Sequence, residues 1–290
     1  MLNAFYDLAV SPAKYDFLGF LLDAERYRQM TGEDGIRFIF VPGPNDGFRV
    51  DKLPPHAPEL RAKMLNNILF PMCGMIDAKV ELRMCAKRED AGQFENGEMF
   101  PSKYRSGDPS SHYGTHIFIR NFKRGFFPLR AVYQLEKQPD LITISLRESH
   151  YWTIRNCNRE TWVEAAKMIK EAGLRVLFIP DVDSPPLEGW DVDVLAATDL
   201  NRRAAIYESA AHNFFVSNGP AWMAAAMGKV NATMFKLLVE GGLCCSEKFY
   251  DSVGLPVGSQ IGHDNHRIVW EDDTVENVLP VVENVIKGIK

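Results

Sequence analysis

Two short polar clusters in the second half of the chain hold the residue types that anion chemistry requires. Arg147 and Glu148 follow directly on the apolar run Leu141 to Leu146, and Arg155 and Asn156 come a few residues later. A guanidinium presents a planar fork of donors that matches two oxygens of a phosphate, so two arginines around one loop suit a diphosphate. Further on, Ser217-Asn218-Gly219-Pro220 joins the strand-like Phe214-Phe215-Val216 to an alanine-rich stretch, Ala221 to Met227, closed by Gly228. Proline is tolerated in a first helical turn, where its missing N–H would be orphaned anyway, and the free N–H groups there lie at the positive end of the helix dipole. Each cluster also has a purely structural reading. Arg147 and Glu148 can pair with each other or with Asp181, and a strand–turn–helix connector needs no ligand.

Other polar groups point less clearly to chemistry. Asp181 and Asp183 form an acidic pair without a matching histidine or third carboxylate, and can serve to cap the loop that Pro185-Pro186 continues. Gln260, in Gly258-Ser259-Gln260-Ile261-Gly262-His263, sits in a polar loop able to reach a ligand, or in an ordinary glycine-rich turn. Cys73, Cys85, Cys157, Cys244 and Cys245 make an odd count with no Cys-x-x-Cys spacing, which excludes a disulfide framework or a structural zinc site as the organising feature. His112 and His116 stand four apart, but Gly107, Pro109 and Gly114 make that region a loop rather than a metal-binding helix. We expect no metal. Neither a Walker lysine motif nor a Gly-x-Gly-x-x-Gly after the first strand is present, and there is no Gly-x-Ser-x-Gly elbow.

The elements that must position these groups follow from hydrophobic patterning. In the first half, residues 5–10 and 36–41 read as strands around a helix over 15–30, ended by Gly32. A polar loop, Asn45 to Arg49, is prolonged by Pro54, Pro55 and Pro58 before a second helix over 60–72 and a short strand over 80–84. Residues 85–115 are too rich in Gly, Ser, Pro and charge to assign. Lys137 to Asp140 forms a boundary. Beyond it the pattern predicts strands at 141–146, 175–181, 192–196, 214–217 and 231–235, with helices at 161–172, 200–211, 221–227 and 275–287, the last capped by Asp273 or Thr274. Strands alternating with helices make a doubly wound parallel sheet, whose ligands bind beyond the carboxyl ends of the strands. The arginines and the Ser217–Pro220 turn all fall at such ends.

The chain as a whole is that of a globular protein. Of 290 residues, 46% are hydrophobic and 24% charged. The net charge of -5, with no long Lys/Arg run, argues against nucleic acid as a partner. No apolar run approaches the roughly 18 residues of a spanning helix, and the first residues lack a signal-peptide pattern, so a cytoplasmic location is expected.

On Phe214 to Gly228 and the order of elements around it, the second half resembles the C-terminal domain of bacterial glycosyltransferases of the GT-B architecture, especially heptosyltransferase-like enzymes of cell-envelope glycan synthesis. The turn is shorter here, lacking an acidic and a serine residue, and the helix carries no histidine. The resemblance implies an α/β fold with two Rossmann-like domains facing a cleft, parallel sheets with helices on both faces, divided at 1–138 and 139–290. It implies a hexosyl- or heptosyltransferase that takes a nucleotide-sugar as substrate without a cofactor and hands the sugar to a glycan or lipid-linked acceptor. A lipid-linked acceptor would allow peripheral membrane association. On this reading the donor is bound by Arg147, Glu148, Arg155, Asn156, Asp181, Ser217, Asn218, Gly219, Pro220 and Gln260. Lys14, Tyr15, Phe48 and Arg49 lie on the acceptor side, and Asp16 or Asp46 is the base. Two other readings use the same frame, a nucleotide-sugar epimerase or pyruvyl transferase, and a non-catalytic nucleotide- or glycan-binding protein.

Overall fold

A computed structural model of the chain describes residues 1–50, 58–112, 119–150, 152–181, 184, 187–242 and 244–289. The chain forms two compact units, Met1–Asn121 and Phe122–Lys290. Each contains its own parallel sheet.

The first unit comprises β1 (Leu2–Asp7), α1 (Phe17–Thr31), β2 (Gly35–Val41), α2 (Pro58–Met64), a π-helical stretch Leu65–Leu69, α3 (Phe70–Cys73), β3 (Lys79–Met84) and β4 (Met99–Phe100). Its strands lie in the order β3-β2-β1-β4, all parallel. β1 is buried along its whole length, as expected of an inner strand covered on both faces. Alternation assigns the two faces: Tyr6, Phe38 and Phe40 pack on Phe17, which α1 supplies, while Phe5, Ile39 and Val41 pack with Ala91 and Tyr104. α1 ends at Gly32, which takes the left-handed conformation and returns its N–H to Arg28 O. The segment 85–112, unassignable in sequence, holds 3₁₀ turns at Arg88–Phe94 and Pro109–Ser111 on either side of β4.

α4 (Ile119–Lys123) spans the division between units. Residues from Phe122 on, placed in the first half by sequence, pack with the second. Phe122 stacks on Phe127 and Trp222, Leu129 N–H donates to Ala226 O at 3.1 Å, and Ala131 N–H to a Glu208 carboxylate oxygen at 2.8 Å.

The second unit continues with β5 (Gln138–Ser145), α5 (Arg159–Glu171), β6 (Arg175–Ile179), α6 (Leu195–Thr198), α7 (Leu200–Ser209), β7 (Ala210–Val216), α8 (Gly219–Ala225), β8 (Ala232–Phe235), α9 (Glu247–Ser252), β9 (His266–Ile268) and α10 (Val275–Ile289). The strand order is β6-β5-β7-β8-β9, again wholly parallel. On one face Ile142, Ile144, Phe214 and Val216 bury against Trp162, Ala165 and Ile169 of α5 and Val278 and Val282 of α10. The other face is polar at its centre. Thr143 donates to Asn213 Oδ1 at 2.6 Å, Asn213 Nδ2 to Tyr207 O at 3.0 Å, and the Ser145 and Tyr207 hydroxyls bond at 2.7 Å. These buried groups are mutually satisfied, so they fix α7 in one position on the sheet.

The structure departs from the sequence reading at three places. Residues 192–196 are not a strand of the sheet: Val192 forms one bridge to Phe178, and the acidic flanks lead into α6 from Leu195. β9, only three residues long beside a glycine-rich loop, is absent from the periodicity reading. Of the two residues expected at the start of α10, Thr274 directly precedes it and its carbonyl accepts from Asn277 N and Val278 N, while the Asp273 carboxylate instead accepts from Asn158 N, Trp162 Nε1 and Lys236 Nζ. The expectations resting on Pro54, Pro55, His116 and Asp183 lie outside the described residues.

Candidate functional site

In the second sheet β5 is followed by β6 on one side and, after the crossover, by β7 on the other, so the strand order reverses between β5 and β7. Such a reversal opens a crevice at the carboxyl ends, because the two outgoing loops turn away from each other. The loop after β5 carries Arg147 to Asn158, and the loop after β7 is Ser217-Asn218. Both sequence clusters therefore border one topological switch point.

Asn156 organises the β5 loop. Its Oδ1 accepts from Arg147 Nη1 and from Ser149 N, and its Nδ2 donates to Ser149 O at 3.0 Å. Arg147 also donates to Trp152 O at 3.1 Å, where Trp152 takes a left-handed backbone (φ 55°) to start the 3₁₀ turn Thr153–Arg155. That turn directs Arg155 to the loop after β7. Its Nη2 donates to Ser217 O at 3.1 Å and its Nη1 reaches Cys244 Sγ at 3.7 Å. Arg155 makes no ion pair with the described residues.

The electrostatics agree with the geometry. Burial is the first cause that holds the Arg147 guanidinium below its ordinary range, and the neighbouring Arg155 charge is the second; Asp181, Cys245 and Cys157 act in the opposite direction. Arg147 is only 7% exposed. Two like charges held this close are each stabilised by an anion that binds both. Ser217 lies buried beside the Tyr250 hydroxyl, without a hydrogen bond of normal geometry for its Oγ. Cys157 beneath the loop is pushed up to about 12, by burial and then by Glu148, so it is an inert thiol.

The remaining donor-side residues divide by role. Glu148 is clamped by Arg159 of α5 through two bonds, at 2.6 and 2.8 Å, rather than by Arg147. Asp181 accepts from Glu148 N at 3.3 Å, tying the ends of β5 and β6. Asn218 caps α8 by accepting from Ala221 N at 2.9 Å, with Gly219 and Pro220 already in the helix. Gln260 is elsewhere: its amide spans β9, donating to Ile268 O at 2.9 Å and accepting from Ile268 N at 2.7 Å.

In the first unit the named residues lie on loops after β1 and β2. Asp16 precedes α1 and makes no side-chain cap; its charge acts on the buried Tyr6 hydroxyl. Asp46 is exposed at the tip of a tight turn (φ 48°) closed by Gly43 N–H to Gly47 O at 2.9 Å. Lys14, Phe48 and Arg49 line a small pocket together with Ser11 and Arg61. Tyr15 stands half-buried beside it in the chain. Arg61, buried over the Phe48 ring at 5.7 Å and donating to Arg49 O, was not singled out, since its helix reads as amphipathic and solvated. Lys236 was also missed, although it directly follows β8; it ends on Asp273 and Asp272.

Among the described residues no group of three or more His, Cys, Asp and Glu side chains is placed to hold a metal, and no helix is long and apolar enough to cross a membrane. No protein-family model matches the chain, and no curated protein matches it. Among solved structures, that of a glycosyl transferase family 9 protein from Veillonella parvula DSM 2008 aligns over 99% of this chain and 92% of its own, at 12% identity and a TM-score of 0.41. A likeness of that size fixes neither fold nor activity.

Proposed function

We propose that the protein is a glycosyltransferase that moves a hexosyl or heptosyl group from a nucleotide-sugar to a hydroxyl of a glycan or lipid-linked acceptor. The observation that carries this reading is the Arg147–Arg155 pair at the β5/β7 switch point, where a fixed loop holds two guanidiniums beside the Ser217-Asn218 turn. In such a transfer the acceptor oxygen bonds to the anomeric carbon as the bond to the diphosphate oxygen breaks. Negative charge grows on the leaving diphosphate, and donors already aimed at it stabilise that charge without reorganising. Arg155 supplies a cation that makes no ion pair with the described residues, and Arg147 a second one whose charge lies beside it.

Asp16 and Asp46 stand in the proposal as alternative bases for the acceptor hydroxyl. Asp16→Asn or Asp46→Asn then lowers turnover while leaving donor affinity unchanged. Titration of a nucleotide-sugar panel by calorimetry tests the donor assignment. Binding that weakens at least about tenfold in both Arg147→Ala and Arg155→Ala supports it; unchanged affinity in both variants removes it. Binding with no product across a panel of acceptors would instead favour a non-catalytic nucleotide-binding protein.

A further inference from the structure

The four sheet edges of this molecule are treated differently. β4 is two residues long, and Phe100 is packed by Tyr27. β6 is covered by residues 191–193, with Phe178 N–H donating to Asp191 O and Asp193 N–H to Phe178 O, both at 2.9 Å. β9 has its outward N–H and C=O taken by the Gln260 side chain. β3 is six residues long and exposed along most of its length, with Leu82 at 38% and Met84 at 50%. Uncovered edges of this length pair readily with another strand, and proteins ordinarily guard them.

The outward groups of β3 follow from its pairing. Cys85 N–H donates to Phe40 O, so the odd-numbered residues point their backbone groups at β2, and Val80, Leu82 and Met84 point theirs away. Among the described residues the Leu82 carbonyl meets only its neighbour's side chain, Arg83 Nη1 at 3.4 Å. None of Lys79 to Met84 makes another backbone bond on that side with the described residues.

We propose that β3 pairs antiparallel with β3 of a second copy of this chain, centred on Leu82, to make a weak, concentration-dependent dimer. Charge selects the occupant and the register. Centred on Leu82, the strand sets Glu81 opposite the other copy's Arg83 and the reverse, with Val80 opposite Met84. Centred on Glu81, it sets glutamate against glutamate and Lys79 against Arg83; centred on Arg83, arginine against arginine. Centred on Val80, it matches Lys79 with Glu81 but overlaps only three residues of each six-residue strand, against five for Leu82. Guard charges of one sign repel in every register, whereas this alternation attracts in one of the two five-residue registers, that centred on Leu82, and repels in the other, that centred on Glu81. Arg83 already lies 3.5 Å from its own Glu81, so it exchanges one carboxylate for its equivalent. Val80, Leu82 and Met84 lie on the same face as Ile36, Phe38 and Phe40 of β2, so pairing extends an apolar face. This dimer is independent of the sugar-transfer reading.

Sedimentation velocity of the full chain over a concentration series tests it. The wild type is expected to pass from monomer to dimer. Arg83→Glu, which places like charges together twice, should weaken dimerisation at least about tenfold. Leu82→Pro removes an N–H that the fold does not use, and should give a monomer with an unchanged melting temperature. Under mild oxidation Leu82→Cys should crosslink two chains beyond the wild-type background, and Met84→Cys, at the more exposed position, should not. A wild type that stays monomeric throughout, or a dimer indifferent to both Arg83→Glu and Leu82→Pro, overturns the proposal; crosslinking of Met84→Cys in place of Leu82→Cys overturns the register.

Discussion

The two parallel sheets end in opposite ways at their carboxyl edges. In the first unit Asp7, at the end of β1 and 1% exposed, accepts from Arg88 at 2.8 and 2.7 Å and from the Tyr104 hydroxyl at 2.9 Å. Arg88 spends its other donors on Pro42 O and Ser106 O, so one charge pair ties together the loops after β1, β2, β3 and β4. In the second unit the corresponding edge has Arg147 donating to Trp152 O and Asn156 Oδ1, near the Asp181 charge, and Arg155 donating to a carbonyl and reaching a thiol. One edge pairs its arginine with a buried carboxylate; the other sets two guanidiniums next to each other. A saturated ion pair with matched hydrogen bonds is a structural knot, and the two neighbouring guanidiniums after β5 are the place where the proposed anion site would lie.

That contrast is broken most severely at Asp7. Asp7→Ala leaves the half-buried Arg88 charge and the Tyr104 hydroxyl without their partner, and should cost about 3–5 kcal/mol of stability in the first unit, read by urea denaturation. Acid should act on the other unit. Burial pulls His212 down to about 4 and His266, with His263 as a further cause, to about 3. Both are neutral when folded and regain an ordinary value of about 6.5 on unfolding. Their contribution is complete above that value and is lost as pH falls from about 6.5 toward 3, by up to about 1.4 kcal/mol per pH unit for each histidine. Thermal melts at stepped pH should show the second unit opening first, and His266→Phe should flatten the slope.

Smaller effects sharpen the assignment. Arg155→Ala takes the donor from the Ser217 carbonyl and should cost about 1 kcal/mol of stability, while weakening nucleoside diphosphate binding by about 1.5–3 kcal/mol through loss of a charge-assisted bond to the ligand. A melt and a titration on the same sample decide it. Asn218→Ala removes the α8 cap and should cost about 1 kcal/mol in the melt.

What was legible in sequence follows the reach of the signal. Arg147 and Arg155 could be read because they lie just past a buried apolar run, where chain order alone places them at a sheet's carboxyl end. The Asp7–Arg88 knot could not, because its partners are 81 residues apart and Arg88 sits in a stretch with no periodicity. Gln260 had the right composition for a ligand loop, yet the three-residue β9 it serves was too short to alternate visibly. The strand expected over 192–196 failed for a related reason: Val192 does touch the sheet, but as one bridge that covers an edge. Local patterning located the frame and the cations; long-range pairing decided which charges were already spent.

The central claim is that the diphosphate site belongs to the switch point of the second sheet. Hydrogen exchange read by mass spectrometry, with and without a saturating nucleoside diphosphate, measures this by position. Protection should concentrate at residues 146–158 and 216–222, disappear in Arg155→Ala, and leave the loops at 8–16 and 43–50 unchanged. Protection confined to those first-unit loops, or undiminished in Arg155→Ala, would contradict it.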